Sequence, residues 1–202
     1  MSRVFLLSPA HCGGLRARLL VNPAARFDLA LRVREPDGAP LGEVFSFMSG
    51  LYFRGKLAYA RAFATAGDVL VITPSEGLRE ADERVDAPRL TKWAAVDIAA
   101  AEARYREPLL RDARALARRL PHAAQVVLLG SIATAKYIEP LLSELGERLV
   151  FPHDFVGRGD MSRGALMLRA AASGCELTYA AVSGSLHRGP RPPRLSRVVR
   201  SR

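Results

Sequence analysis

Five short runs of aliphatic and β-branched residues punctuate the chain: VFLLS (4–8), VLVIT (69–73), VVLLG (126–130), RLVFP (148–152) and LTYAAV (177–182). Most are continuous rather than alternating, the pattern of strands buried on both faces of a largely parallel sheet. Between them, apolar positions recur at spacings of three and four. That spacing predicts helices over 51–64, over 97–120 with a break at Pro108, over 131–145 with Ser131 as N-cap and Gly146 as stop, and over 164–172. In the first of these helices the stripe runs through Leu51, Phe53 or Arg54, Leu57, Ala58, Arg61 and Ala62. PLGEVFSFM (40–48) reads as a short helix or an irregular loop. Strands alternating with helices specify an α/β fold: a three-layer sandwich with a largely parallel central sheet of four to five strands and right-handed crossovers.

Length changes little in this picture. A chain of 202 residues buries one substantial core, and the reading is a single α/β domain over 1–185 with a flexible basic arm over 186–202. No apolar run approaches the roughly 18 to 20 residues that a membrane helix needs, and the opening MSRVFLLSPAHC has too short an apolar core for a signal peptide. The expectation is a cytoplasmic protein with no membrane partner. Cys12 and Cys175 stand far apart without ligand-like spacing, so neither a disulfide framework nor a zinc site is indicated, and Cys175 reads as a core residue. No metal or cofactor is called for, and the oligomeric state is not legible.

Charge adds more. The net charge of +10 points to a polyanionic partner. Only Lys56, Lys92 and Lys136 are lysines, and a GC-rich genome produces such an arginine excess without selection for binding. Arg188, Arg191, Arg194, Arg197, Arg200 and Arg202 lie at the end of the chain; without those six charges the remainder carries about +4, from 10 minus 6.

In open α/β sheets ligands bind beyond the carboxyl ends of the strands, where loops lead into helix N-termini. Three such loops carry chemistry. SPAHCGG (8–14) offers the titratable His11 and Cys12 beside Gly13 and Gly14, which allow close backbone approach; a hydrogen-bonded loop histidine is the plainer use. LLGSIATAK (128–136) presents Ser131 and Thr134 as hydroxyl donors, with Lys136 a turn later. It departs from the phosphate-loop pattern, and simple capping serves as well. FPHDFVGRGDMSRG (151–164) sets Arg158, Asp160, Ser162 and Arg163 among glycines, a fork for phosphate or carboxylate, against the plainer alternative of an internal Arg158–Asp160 bridge. A fourth region, EVFSFMSGLYFRGKLAYA (43–60), interleaves aromatic and basic residues. Phe45 and Phe53 read as core, whereas Tyr52, Arg54 and Lys56 suit stacking on and binding of a nucleotide.

The opening strand with SPAHCGG, the VVLLGSIATAKYIEPLL strand and helix, and the late FPHDF loop resemble, in order and spacing, the uracil-DNA glycosylase superfamily. That superfamily has a polar catalytic loop after its first strand, a strand ending in Leu-Gly before an alanine-rich helix, and a late histidine-containing loop that inserts at the lesion. The chain departs from it in two places: SPAHCGG holds no Asp or Asn to activate water, and FPHDF is not His-Pro-Ser. The resemblance implies a DNA N-glycosylase-like enzyme acting on a modified or damaged base, with nucleic acid (DNA) or a nucleotide as partner. His11 or Glu43 would activate water or stabilise the departing base, and His153 would join them from the late loop. The alternatives are a non-catalytic nucleic-acid or nucleotide-binding module, and a hydrolase or transferase of a small phosphorylated metabolite.

Overall fold

The computed structural model describes residues 2–64, 68–185, 189–193 and 195. In chain order the elements are β1 (Arg3–Leu7), α1 (Leu15–Val21), α2 (Asp28–Arg34), β2 (Ala39–Pro40), α3 (Leu41–Ser49), α4 (Leu51–Phe63), β3 (Val69–Ile72), β4 (Leu78–Glu80) and β5 (Arg84–Val85). They continue with α5 (Ala87–Ala94), α6 (Ala103–Arg119), β6 (Gln125–Leu129), α7 (Ala135–Leu145), β7 (Leu149–Pro152), α8 (Asp160–Ser173) and β8 (Tyr179–Ala181).

Six strands form the central sheet in the order β4-β3-β1-β6-β7-β8. The four inner strands, β3, β1, β6 and β7, are parallel, with Leu7 opposite Val71 on one side and opposite Leu129 on the other. Their continuous apolar runs are explained by burial on both faces: Val4 to Leu7 and Val126 to Leu129 are all fully buried. The two edges are antiparallel, β4 on β3 and β8 on β7. The 177–182 run is therefore a short antiparallel edge strand, and the sheet is one strand wider than the apolar runs indicate, because β4 (LRE) is too short and too polar to register. β2 and β5 form a separate two-residue antiparallel pair.

The helical layers cover the sheet from both faces. On α6, Tyr105, Leu109, Ala113 and Leu116 are buried at four- and three-residue spacing, with Pro108 accommodated inside the helix in its first turns. This helix is shorter than the 97–120 reading, because residues 95–102 form an irregular connection after the separate helix α5. The 131–145 reading is shortened as well: α7 begins at Ala135 after Thr134, and no side chain caps it. α8 starts earlier than expected, at Asp160. The 40–48 segment is helical, as α3.

The seam between α4 and α8 positions the site. A Cβ on Gly55 would stand 2.6 Å from the Gly164 carbonyl oxygen, and one on Gly164 would stand 2.8 Å from that of Leu51. Only paired glycines let the two backbones approach this closely. The approach turns Tyr52, Phe53, Lys56, Leu57, Tyr59 and Ala60 inward on α4, one residue out of phase with the expected stripe, and leaves Arg54 and Arg61 exposed. No helix among the described residues is long and apolar enough to cross a membrane. Cys175 is exposed rather than in the core, while Cys12 is buried. Of the arm, residues 189–193 and 195 are described; the Pro193 carbonyl accepts a hydrogen bond from Arg158 at 3.3 Å, and the rest of the arm lies outside the described residues.

Candidate functional site

A cavity of about 610 Å³ opens at the carboxyl ends of the inner strands. Ser8 to Gly13 enter it from the loop after β1, Pro74 from the loop after β3, and Ser131 and Thr134 from the loop after β6. The helices add Tyr52 and Lys56 from α4, Lys136 and Tyr137 from α7, and Asp160 from the first turn of α8, while the end of α5 and its connection bring Trp93 and Asp97. The convergence follows from topology: parallel strands point all their carboxyl ends one way, so the loops after them share an edge.

Lys56 is the centre of this arrangement. The residue is 1% exposed, and its Nζ donates to the Ser8 carbonyl at 2.8 Å and to Ser8 Oγ at 2.7 Å. The ammonium lies 4.2 Å from the centre of the Tyr52 ring and 5.1 Å from that of Phe53. Burial depresses its pKa from the usual lysine value to about 7, because desolvation penalises the charged form; the Asp160 carboxylate opposes this fall and the Arg163 guanidinium adds to it. The amine is thus divided between charged and neutral forms near neutral pH. Ser8 is held beside it by its own N–H, which donates to the Leu129 carbonyl at 3.1 Å. Gly130 makes room for it, since a Cβ there would stand 2.8 Å from Ser8 Cβ.

The aromatic walls are positioned as firmly. Trp93 is fully buried, with its indole N–H donating to Glu76 Oε1 at 3.1 Å, and Glu76 is itself bound by Arg89. The Tyr105 hydroxyl donates to the Lys136 carbonyl at 3.0 Å and so pins the first turn of α7. Tyr52 is 8% exposed, burial pushes its hydroxyl up to about 12 against the opposing pull of the Arg163 guanidinium, and that hydroxyl makes no hydrogen bond of good geometry among the described residues. A buried, unsatisfied hydroxyl on a cavity wall marks a position for a ligand atom. Cys12 also lines the cavity, but burial pushes its thiol up to about 12, which keeps it protonated and unreactive.

Several residues singled out by their sequence context meet here. Gly13, Tyr52, Lys56, Ser131, Thr134, Lys136 and Asp160 line the cavity, as does His11 at its exposed rim. Others do not. Gly14 is the N-cap of α1, outside the lining, where it sits under the His11 ring. Glu43 lies on α3 in a two-pronged ion pair with Arg32, which holds its carboxyl below the usual range and ties it to the outer surface. His153 is exposed after β7 and is not part of the lining. His11, Glu43 and His153 therefore do not share a cleft.

The arginine fork is corrected too. Arg163 is 7% exposed and spends Nε and one terminal nitrogen on the Phe155 carbonyl, at 3.2 and 3.0 Å, with Asp160 3.7 Å away. Arg158 donates to Ser162 Oγ at 3.2 Å. Both guanidiniums brace loops, the bridge to Asp160 comes from Arg163 rather than Arg158, and Arg54 points outward from α4. Two carboxylates, Asp97 and Asp160, line the cavity, whereas SPAHCGG holds none. Nothing in the sequence context of Asp97 or Trp93 marks them for this site. The described residues contain no group of three or more His, Cys, Asp and Glu that could hold a metal ion. No known protein family, curated protein or solved structure matches the chain.

Proposed function

We propose that this chain is a hydrolase that draws a single nucleotide, free or flipped out of a nucleic acid, into the strand-end cavity and cleaves its N-glycosidic bond. One observation carries the reading: a single cavity brings together aromatic walls (Tyr52, Trp93, Tyr137), two carboxylates (Asp97, Asp160) and the buried Lys56. At about 610 Å³ it is in the size range of small-ligand sites and far too small for a duplex, so a polymer would enter one unstacked residue at a time. Aromatic walls suit a base, and hydroxyls from Ser131, Thr134 and Tyr52 suit its polar edges. A carboxylate facing the sugar would activate water, the part that Asp160 takes here.

Trp93 is the sole tryptophan, so its fluorescence reports occupancy of the cavity directly. Titration with nucleotides should quench it. Oligonucleotides and nucleotides bearing uracil and a panel of modified bases should release free base, measured chromatographically, and Asp160→Asn should lower that release by about 100-fold or more with the quench retained. Quenching by nucleotides with no base released from any substrate would make the protein a binding module instead.

A further inference from the structure

We infer that Lys56 is an amine nucleophile that forms an imine with the aldehyde carbon of the sugar exposed when the base departs, with the Ser8 hydroxyl as its proton relay. The inference rests on the glycosidic reading for the identity of the aldehyde. Its geometric basis is separate: a lysine side chain enclosed in the cavity wall, with Nζ 2.7 Å from a hydroxyl that also lines the cavity. A lysine kept only for solubility would not occupy the buried stripe of a helix. A lysine kept only for structure would be expected to have a carboxylate in hydrogen-bonding contact. Lys56 instead has a carbonyl and a hydroxyl, both from Ser8, and two aromatic faces.

The groups facing Nζ are Ser8 from the end of β1, Tyr52 and Phe53 from α4, and Asp160 and Arg163 from α8, with His11, Asp97 and Lys136 on the other cavity walls. Desolvation outweighs the attraction of Asp160, so much of the amine is neutral and nucleophilic at physiological pH. In the step proposed, the nitrogen lone pair attacks the aldehyde carbon and the carbonyl electron pair moves to oxygen. Ser8 gives that oxygen its proton and recovers one from the new ammonium. The resulting carbinolamine hydroxyl takes a second proton from solvent and leaves as water with its electron pair, giving the protonated imine. Addition of water reverses the sequence and frees the lysine.

Reduction by borohydride converts the imine irreversibly into a secondary amine that peptide mapping can locate. The chain has three lysines, so Lys92 and Lys136 serve as internal controls. Two aldehyde probes distinguish a polymer from a free sugar: a single-stranded oligonucleotide with a preformed abasic site, and 2-deoxyribose 5-phosphate. The expected result is an adduct on Lys56 with at least one of the probes, with a trapping rate that rises through pH about 7. Ser8→Ala should slow trapping about 100-fold. An adduct confined to Lys92, Lys136 or the amino terminus, or none with either probe, would overturn the inference. Both probes already carry the aldehyde, so base release is not required. An adduct on Lys56 without base release from any substrate therefore removes the glycosidic reading and keeps the amine. Base release without an adduct does the reverse.

Discussion

Lys56 and Arg163 are two buried cations on facing helices, and the molecule uses them in opposite ways. Arg163 commits its fork to the Phe155 carbonyl and lies against the Phe155 ring, 5.5 Å from its centre. Its planar fork, with two donors on one carbonyl, serves as a brace for the loop leading into α8. Lys56 sits across the glycine seam, in the cavity wall, and its compact ammonium can give up a proton when desolvated. The arginine is committed to its loop, whereas the lysine's depressed pKa leaves part of its amine neutral beside the cavity.

The largest effect that would test this contrast is the pH dependence of stability. The unfolded lysine titrates near its ordinary value of 10.5 and the native one near 7, so between these pH values the unfolded state binds the extra proton. Stability from this group is therefore highest above 10.5, declines as pH falls towards 7, and is level below. Replacement Lys56→Met removes that loss. The variant should exceed the parent in urea-measured stability by several kcal/mol near pH 7, with the gap closing towards pH 10. Parallel curves for the two proteins would mean that the amine titrates normally.

Arg163→Met comes next in size. It leaves the Phe155 carbonyl without its charged donor and should cost about 2 kcal/mol, a drop in Tm of about 4 to 8 °C. An unchanged Tm would show that the loop does not need this brace and would erase the distinction between the two cations. The smallest effect sharpens the boundary of the site: Glu43→Gln breaks only a surface pair with Arg32 and should alter stability by less than about 0.5 kcal/mol. Base release should be unchanged, and loss of it would return Glu43 to the catalytic centre.

Much of the fold was legible because its signal is local. The inner strands are buried on both faces, and β1 and β6 wrote that burial into uninterrupted apolar runs. The shared edge of the Ser8, Ser131 and Thr134 loops followed from parallel topology alone. The short helices α1, α2 and α5, seven or eight residues each, gave too few turns for a periodicity to register. The phase of α4 was equally hidden, since residues 51–63 carry apolar side chains on more than one face.

What the amino-acid order determined by itself is thus the α/β class, the inner strands and the edge of the sheet where polar loops gather, because each rests on periodicity or on chain direction. Tertiary structure alone decided which polar side chains meet. Glu43 was claimed by Arg32 of a helix that the apolar pattern did not reveal. Asp97 reached the cavity from an irregular connection, and Asp160 from the start of α8, while the neighbouring arginines turned to brace loops. Lys56 was turned inward by the close approach of Gly55 to Gly164, residues 109 apart in sequence. Desolvation is a property of everything packed around a group, so the chemistry of that lysine exists only once the helices have closed on it.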